Sequence, residues 1–149
     1  MSESLAATIA ATAESFRSEA KSAQRTFVSA SRLGDGFRSA VSIRDHALTV
    51  DEPHGIGGSD AGPTPVELVL AALGTCQEIT YRAFATALGI PLDSVAVTVE
   101  GDIDFRGFFA IDETIRPGFQ RLRVQVALGS TASQADVDRL VAVVNGHCP

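Results

Sequence analysis

Near the N-terminus Leu5, Ile9, Ala13 and Phe16 fall on one helical stripe, with Glu3, Glu14, Arg17 and Lys21 largely off it, which predicts an amphipathic helix. The stripe leaves open whether it packs on the body of the domain or on a second subunit. From Thr26 the period changes to two: "TFVSASR", the turn "LGDG", then "FRSAVSIRD" and "HALTVDE". Asp35-Gly36 is a hairpin signal because glycine takes positive φ without steric cost. An antiparallel meander of three strands follows, with Phe37, Val41 and Ile43 on one face and Ser39 interrupting it.

Residues 52–63, "EPHGIGGSDAGP", form a loop with unusual backbone angles. Thr64 then supplies an N-cap, Pro65 the first helical position, and Glu67 completes the capping box T-x-x-E. This helix is expected to run to about Leu88, where Gly89 and Pro91 stop it. Its first half, "VELVLAALGTC", is apolar nearly all round, the mark of a central helix buried on most sides. Beyond it "SVAVTVEGDIDF" reads as a strand, "RGFFAIDETIRPG" as a long excursion, and "FQRLRVQVALG" as a strand alternating Leu122, Val124 and Val126. Ser133 opens a last helix with Asp136 and Asp138 in its first turns, where the macrodipole favours negative charge, and Asn145-Gly146 is its expected stop. The order of elements predicts an α+β fold with antiparallel pairing, organised as an N-terminal helix (residues 1–25) and a single domain (residues 26–149).

Composition narrows the partners. A net charge of −6 and a pI near 4.9, with the basic residues scattered, argue against nucleic acid, which needs clustered Lys and Arg. No apolar run approaches the roughly 20 residues that span a bilayer, and the start lacks a basic n-region, so a soluble, cytoplasmic protein is expected. His46, His54 and His147 have no zinc-like spacing to each other or to the cysteines, so no metal is expected.

Two cysteines remain, Cys76 inside the central helix and Cys148 in the terminal "GHCP". A lone thiol in an apolar helix is most simply a core residue. Cys76 lies too far from the helix start for the dipole to favour its thiolate, so a reactive Cys76 requires a cation from another segment. Cys148 precedes proline, a context that suits the cap of a new helix and unpaired backbone N–H groups. One cysteine in a helix and one on an irregular segment is also the arrangement of an attacking and a resolving thiol.

"DEPHGIGGSDAGPTPVELVLAALGTCQEIT", "DIDFRGFFAIDETIRPGF" and the terminal "HCP" together resemble the OsmC/Ohr family, in its broad OsmC-like branch, over roughly residues 30–149. The resemblance implies an intertwined homodimer in which sheets wrap long central helices, with active sites at the subunit interface. It implies a thiol peroxidase that reduces organic hydroperoxides, and hydrogen peroxide less well, with no metal, haem or flavin and with an external dithiol as reductant. Cys76 would be the peroxidatic thiol and Cys148 the resolving one. Leu73, Phe105, Phe108 and Phe109 would make the substrate pocket apolar.

Three departures stand out. The family's glutamate ten residues before the helix cysteine is Val66 here, and Glu67, next along, falls on the opposite helix face and reads as a cap. The family's arginine before an Asp-Gly turn is replaced by Gly34, leaving Arg32 and Arg38, on either side of the turn, as the candidates to activate the thiolate. The helix and strand that usually follow the C-P pair have no counterpart in the sequence given. The alternative reading is a redox-sensing or small-molecule-binding protein on the same scaffold, and a third is an interaction domain with inert cysteines.

Overall fold

The period-two segments pair as two antiparallel sheets. β1 (Ala30–Leu33), β2 (Ser39–Ile43) and β3 (His46–Val50) form a meander, and β4 (Ser94–Ile103) pairs with β5 (Phe119–Gly129). The helices are α1 (Ser2–Ser18), α2 (Pro65–Leu88), a single-turn α3 (Phe105–Phe108) and α4 (Gln134–His147). The computed structural model describes residues 2–149. It comprises two units, one of residues 13–69 and one that joins the chain up to Thr12 with Leu70–Pro149. α1 and α2 each run from one unit into the other.

In the unit of residues 13–69 the meander pairs Ser39 with Val50 and Val41 with Leu48, and within β2 Ser39 shares its face with Val41 and Ile43, the interruption expected. Gly36 turns the first hairpin at φ +61°. Pairing starts at Ala30, later than the pattern suggested, and leaves Phe27 and Val28 exposed ahead of the strand.

The loop after β3 is built around Asp51, a fully buried carboxylate. It accepts hydrogen bonds from the Glu52 N–H (2.8 Å), the Ser59 N–H (3.0 Å), the Ser59 hydroxyl (2.6 Å) and the Ala61 N–H (3.2 Å). Gly58 and Gly62 are required there, since a Cβ on either would lie 1.7 Å from the Glu52 carbonyl oxygen or 2.2 Å from that of Thr49. The Ser59 hydroxyl, with these N–H groups, draws the Asp51 pKa down to about 2 against the cost of burial. Because the folded value is depressed, this stabilisation is complete above the unfolded carboxylate's pKa, near 4, and is lost as pH falls towards about 2. Asp51→Asn should therefore lower the urea midpoint at pH 7 and flatten its decline between pH 4 and pH 2. An unchanged acid limb in the variant would remove Asp51 from this role.

α2 starts as the capping box requires: the Thr64 N–H donates to Glu67 Oε2 (2.7 Å) and the Glu67 N–H to Thr64 Oγ1 (3.3 Å). It ends at Gly89 (φ +66°), with the Ile90 N–H returning to the Ala85 carbonyl (2.9 Å).

The core of the second unit lies between the C-terminal half of α2, α4 and the adjoining end of the β4–β5 ribbon. Tyr81, Ala85, Ile90, Leu92, Leu140 and Val144 are buried, with Phe84, Val95, Val126 and Leu128 packed against them. At Gly74 α2 crosses β4, and a Cβ there would stand in ordinary contact with Val99 Cγ2 at 3.4 Å. One turn on, Glu78 Oε1 accepts the Val97 N–H (3.3 Å), occupying a donor on the open edge of β4. Leu5 and Ile9 of α1 line an open groove of about 420 Å³ with Ile79 and Ala83 of α2.

The excursion between β4 and β5 accounts for the R-G-F motif. Asp104 caps α3 by accepting the Arg106 N–H (3.0 Å), and also accepts from Arg106 Nε (3.0 Å). A Cβ on Gly107 would stand 2.6 Å from the Ile115 carbonyl oxygen, so only glycine lets the loop fold back on itself. Phe105, Phe108 and Phe109 form an edge-to-face cluster on this excursion and are all exposed.

Two local expectations need correction. α4 continues to His147 past Asn145-Gly146, because Gly146 keeps negative φ and the Cys148 N–H closes the last turn on the Val144 carbonyl (2.9 Å). The first half of α2, expected to be buried on most sides, leaves Val69 53% exposed within one chain, and one turn beyond that half Ile79 is 70% exposed. Its apolar composition marks a surface to be covered, and these residues leave one face of it open.

Candidate functional site

Helical geometry settles where Cys76 points. Taking 100° per residue, Thr80 lies close to its line on α2, Ile79 and Ala83 flank it on the open side, and Gly74 faces β4 from across the helix axis. The apolar stripe Val69, Ala72, Cys76, Ile79 and Ala83 repeats at intervals of three and four, the spacing of a helix that receives another along its length. Cys76 is thus half-buried at the edge between a packed face and an open one.

Cys148 reaches the same place from the end of α4. It caps the helix in extended conformation (φ −68°, ψ 120°), and the buried Leu140 and Val144 anchor the two turns before it. The two sulfurs, 72 residues apart in sequence, stand 3.8 Å from each other. Bond formation needs a separation near 2.05 Å, so closing requires about 1.8 Å, a distance on the scale of a side-chain rotation. The Cys-Pro pair would also suit the start of a new helix, but Cys148 follows the stop of α4. It lies at a helix C-terminus, the negative end of the dipole, so α4 does nothing to favour its thiolate.

Neighbouring groups disfavour charge at Cys76 on balance. Burial pushes its pKa up first, the Cys148 thiol adds to this by hydrogen bonding and by charge, and the Thr80 hydroxyl alone acts in the other direction. No cation figures among these influences in the described chain. Tyr81, in the core beside Val144, has its phenol raised by burial and then by Cys148. His147 is held with Nδ1 on the Val143 carbonyl (2.8 Å) and its ring 5.4 Å from that of Phe84.

Arg32 and Arg38 belong to the other unit, where they come together on a cleft of about 220 Å³ lined also by Ser39 and Thr49. Among the described residues of that unit, no carboxylate pairs with either guanidinium. Glu67 is spent on the helix cap, as its place opposite Cys76 suggested. Sequence reasoning passed over Thr80. The available signal was its place four residues after Cys76, on the same helix face.

No described helix is long and apolar enough to cross a membrane. A search of curated proteins finds no match. Solved structures with the same fold include an OsmC-like protein from Mycoplasma pneumoniae (16% identity, 85% of this chain and 84% of that one covered, TM-score 0.72). They also include an organic hydroperoxide resistance protein from Legionella pneumophila (25% identity, 85% and 87% covered, TM-score 0.61). A third is an organic hydroperoxide resistance protein from Elizabethkingia anophelis (18% identity, 85% of each chain covered, TM-score 0.63). The family model described as OsmC-like protein matches residues 57–149, which is more than half of the sequence and includes both cysteines. With its antiparallel sheets, long α2 and paired thiols, this chain belongs to the OsmC-like protein family.

Proposed function

We propose that this protein is a cysteine-based peroxidase that reduces organic hydroperoxides, with Cys76 attacking and Cys148 resolving. The 3.8 Å approach of the two sulfurs carries the reading. The Cys76 thiolate attacks the distal peroxide oxygen, the O–O bond breaks, and the departing alkoxide takes a proton to leave as alcohol. Cys76 is then a sulfenic acid. The Cys148 sulfur displaces its oxygen, which leaves as water, and a disulfide forms. An external dithiol reduces that bond by two exchanges, so no metal, haem or flavin takes part.

The chain works as a homodimer in this reading. The open stripe of α2 that carries Cys76 offers a long apolar face for a second copy's helix, and the organic part of the peroxide meets apolar surface beside the thiol. Burial raises the Cys76 pKa, so the assembled protein must bring a cation to it, and Arg32 and Arg38 are the residues we assign to this task. A redox sensor without turnover is the alternative, favoured by the raised Cys76 pKa.

The test is anaerobic oxidation of the reduced protein by cumene hydroperoxide, followed by mass spectrometry, with Cys148→Ser alongside. Wild type should lose two hydrogens and show a Cys76–Cys148 bond, while Cys148→Ser should gain one oxygen and stop. Dithiol-supported turnover by wild type distinguishes peroxidase from sensor. Oxidation no faster than that of a free thiol would refute both.

A further inference from the structure

α2 carries three threonines, and each returns its hydroxyl to the carbonyl four residues earlier: Thr75 to Ala71 (2.8 Å), Thr80 to Cys76 (2.8 Å) and Thr86 to Arg82 (2.7 Å). Those of Thr75 and Thr86 lie at the surface, where the bond is a local habit of the side chain. Thr80 is different, being 8% exposed. A valine would fill the same space without burying a hydroxyl, and the Cys76 carbonyl already lies within reach of the helix N–H four residues on. What distinguishes Thr80 is the company of its oxygen, which stands one turn from the Cys76 sulfur on the same face.

We propose that Thr80 is a positioning residue for the nucleophile: its hydroxyl rotates from the Cys76 carbonyl to donate to the Cys76 sulfur when that sulfur loses its proton. This rests on the reading of Cys76 as the attacking thiol. The rotation breaks one hydrogen bond and makes a stronger, charge-assisted one, while the thiol proton departs to solvent. The direction of the Thr80 effect on Cys76 agrees, since it alone favours the thiolate. The titratable group that acts on Cys76 from the packed side is Cys148 at the end of α4, which opposes a negative charge there, and Cys148 also raises the phenol of Tyr81 beyond it. His147, in the last turn of α4, is engaged with Val143 and Phe84.

The test uses Cys148→Ser as parent, in which Cys76 is the remaining cysteine, and follows iodoacetamide alkylation across pH 5–10. Thr80→Val should move the midpoint up by about one pH unit, a tenfold loss of thiolate at neutral pH. Thr80→Ser should restore it and Thr86→Val should leave it unchanged. Thr80→Ala supplies the same comparison if valine disturbs the fold by circular dichroism. Equal midpoints in the parent, Thr80→Val and Thr80→Ala would overturn the proposal. The titration needs no peroxide, so it stands or falls apart from the peroxidase reading.

Discussion

Cys76→Ser is expected to lower the rate of peroxide reduction by at least about 10³-fold, down to the background of the buffer, while leaving the thermal midpoint nearly unchanged. The two expectations come from the same placement. Cys76 is half-buried at a helix edge, so exchanging sulfur for oxygen removes little packed volume. The chemistry does not survive the exchange, because an alcohol is ionised at neutral pH to a negligible degree and oxygen is a poor nucleophile towards peroxide. Stopped-flow fluorescence with cumene hydroperoxide, paired with a thermal melt, reads both. A variant that retains a tenth of the parental rate would shift the nucleophile to Cys148. This differs from Cys148→Ser, where the first oxidation persists and the second step is missing.

If two copies pair through the α2 stripe, as proposed, Ile79→Glu should separate them. In a single chain this residue is 70% exposed, and a charge at such a position costs within about 0.5 kcal/mol. In a dimer that buries the α2 stripe the same charge is left without water or partner, at about 3–5 kcal/mol. The dimer dissociation constant should then rise by at least about 100-fold, with the helical circular dichroism preserved. Sedimentation velocity over a range of protein concentrations decides the matter. A variant that sediments with the parent at micromolar concentration would mean that the subunits meet elsewhere.

What could be read in the sequence was largely what is settled locally. Thr64, Pro65, Glu67 and Gly89 set the two ends of α2 because caps are satisfied by residues within one turn. The strand segments of β4 and β5 were legible from their alternation, Leu122, Val124 and Val126 in β5, since one face had to be apolar, while the register that sets Val95 against Leu128 and Val97 against Val126 comes from the structure. Asn145-Gly146 misled because glycine permits a stop without compelling one, and Val144 still had a carbonyl to offer Cys148. The apolar girth of α2 predicted a helix buried on most sides, and in a single chain Val69 and Ile79 stay exposed, because hydrophobicity does not say which surface covers a residue. No spacing rule brings residues 76 and 148 together; one thiol in a helix and one on an irregular segment suggested a pair, the family resemblance assigned the roles, and the packing of α4 on α2 through Leu140, Val144 and Tyr81 supplies the physical reason they meet.

The meeting of the sulfurs also couples electron transfer to the folding equilibrium. A bond across 72 residues closes most of the second unit into one loop, and the loss of unfolded-chain entropy is worth about 4 kcal/mol on a loop-closure basis. Thermodynamic linkage requires that whatever oxidation adds to the stability of the fold, the fold returns as resistance to reduction. For a two-electron couple about 4 kcal/mol corresponds to roughly 90 mV, so the folded chain holds its disulfide at a potential that much more reducing than the same cysteines in the unfolded chain. On the proposed peroxidase reading, each turnover must therefore draw on a reductant strong enough to work against the architecture of α2 and α4 as well as against the sulfur bond itself.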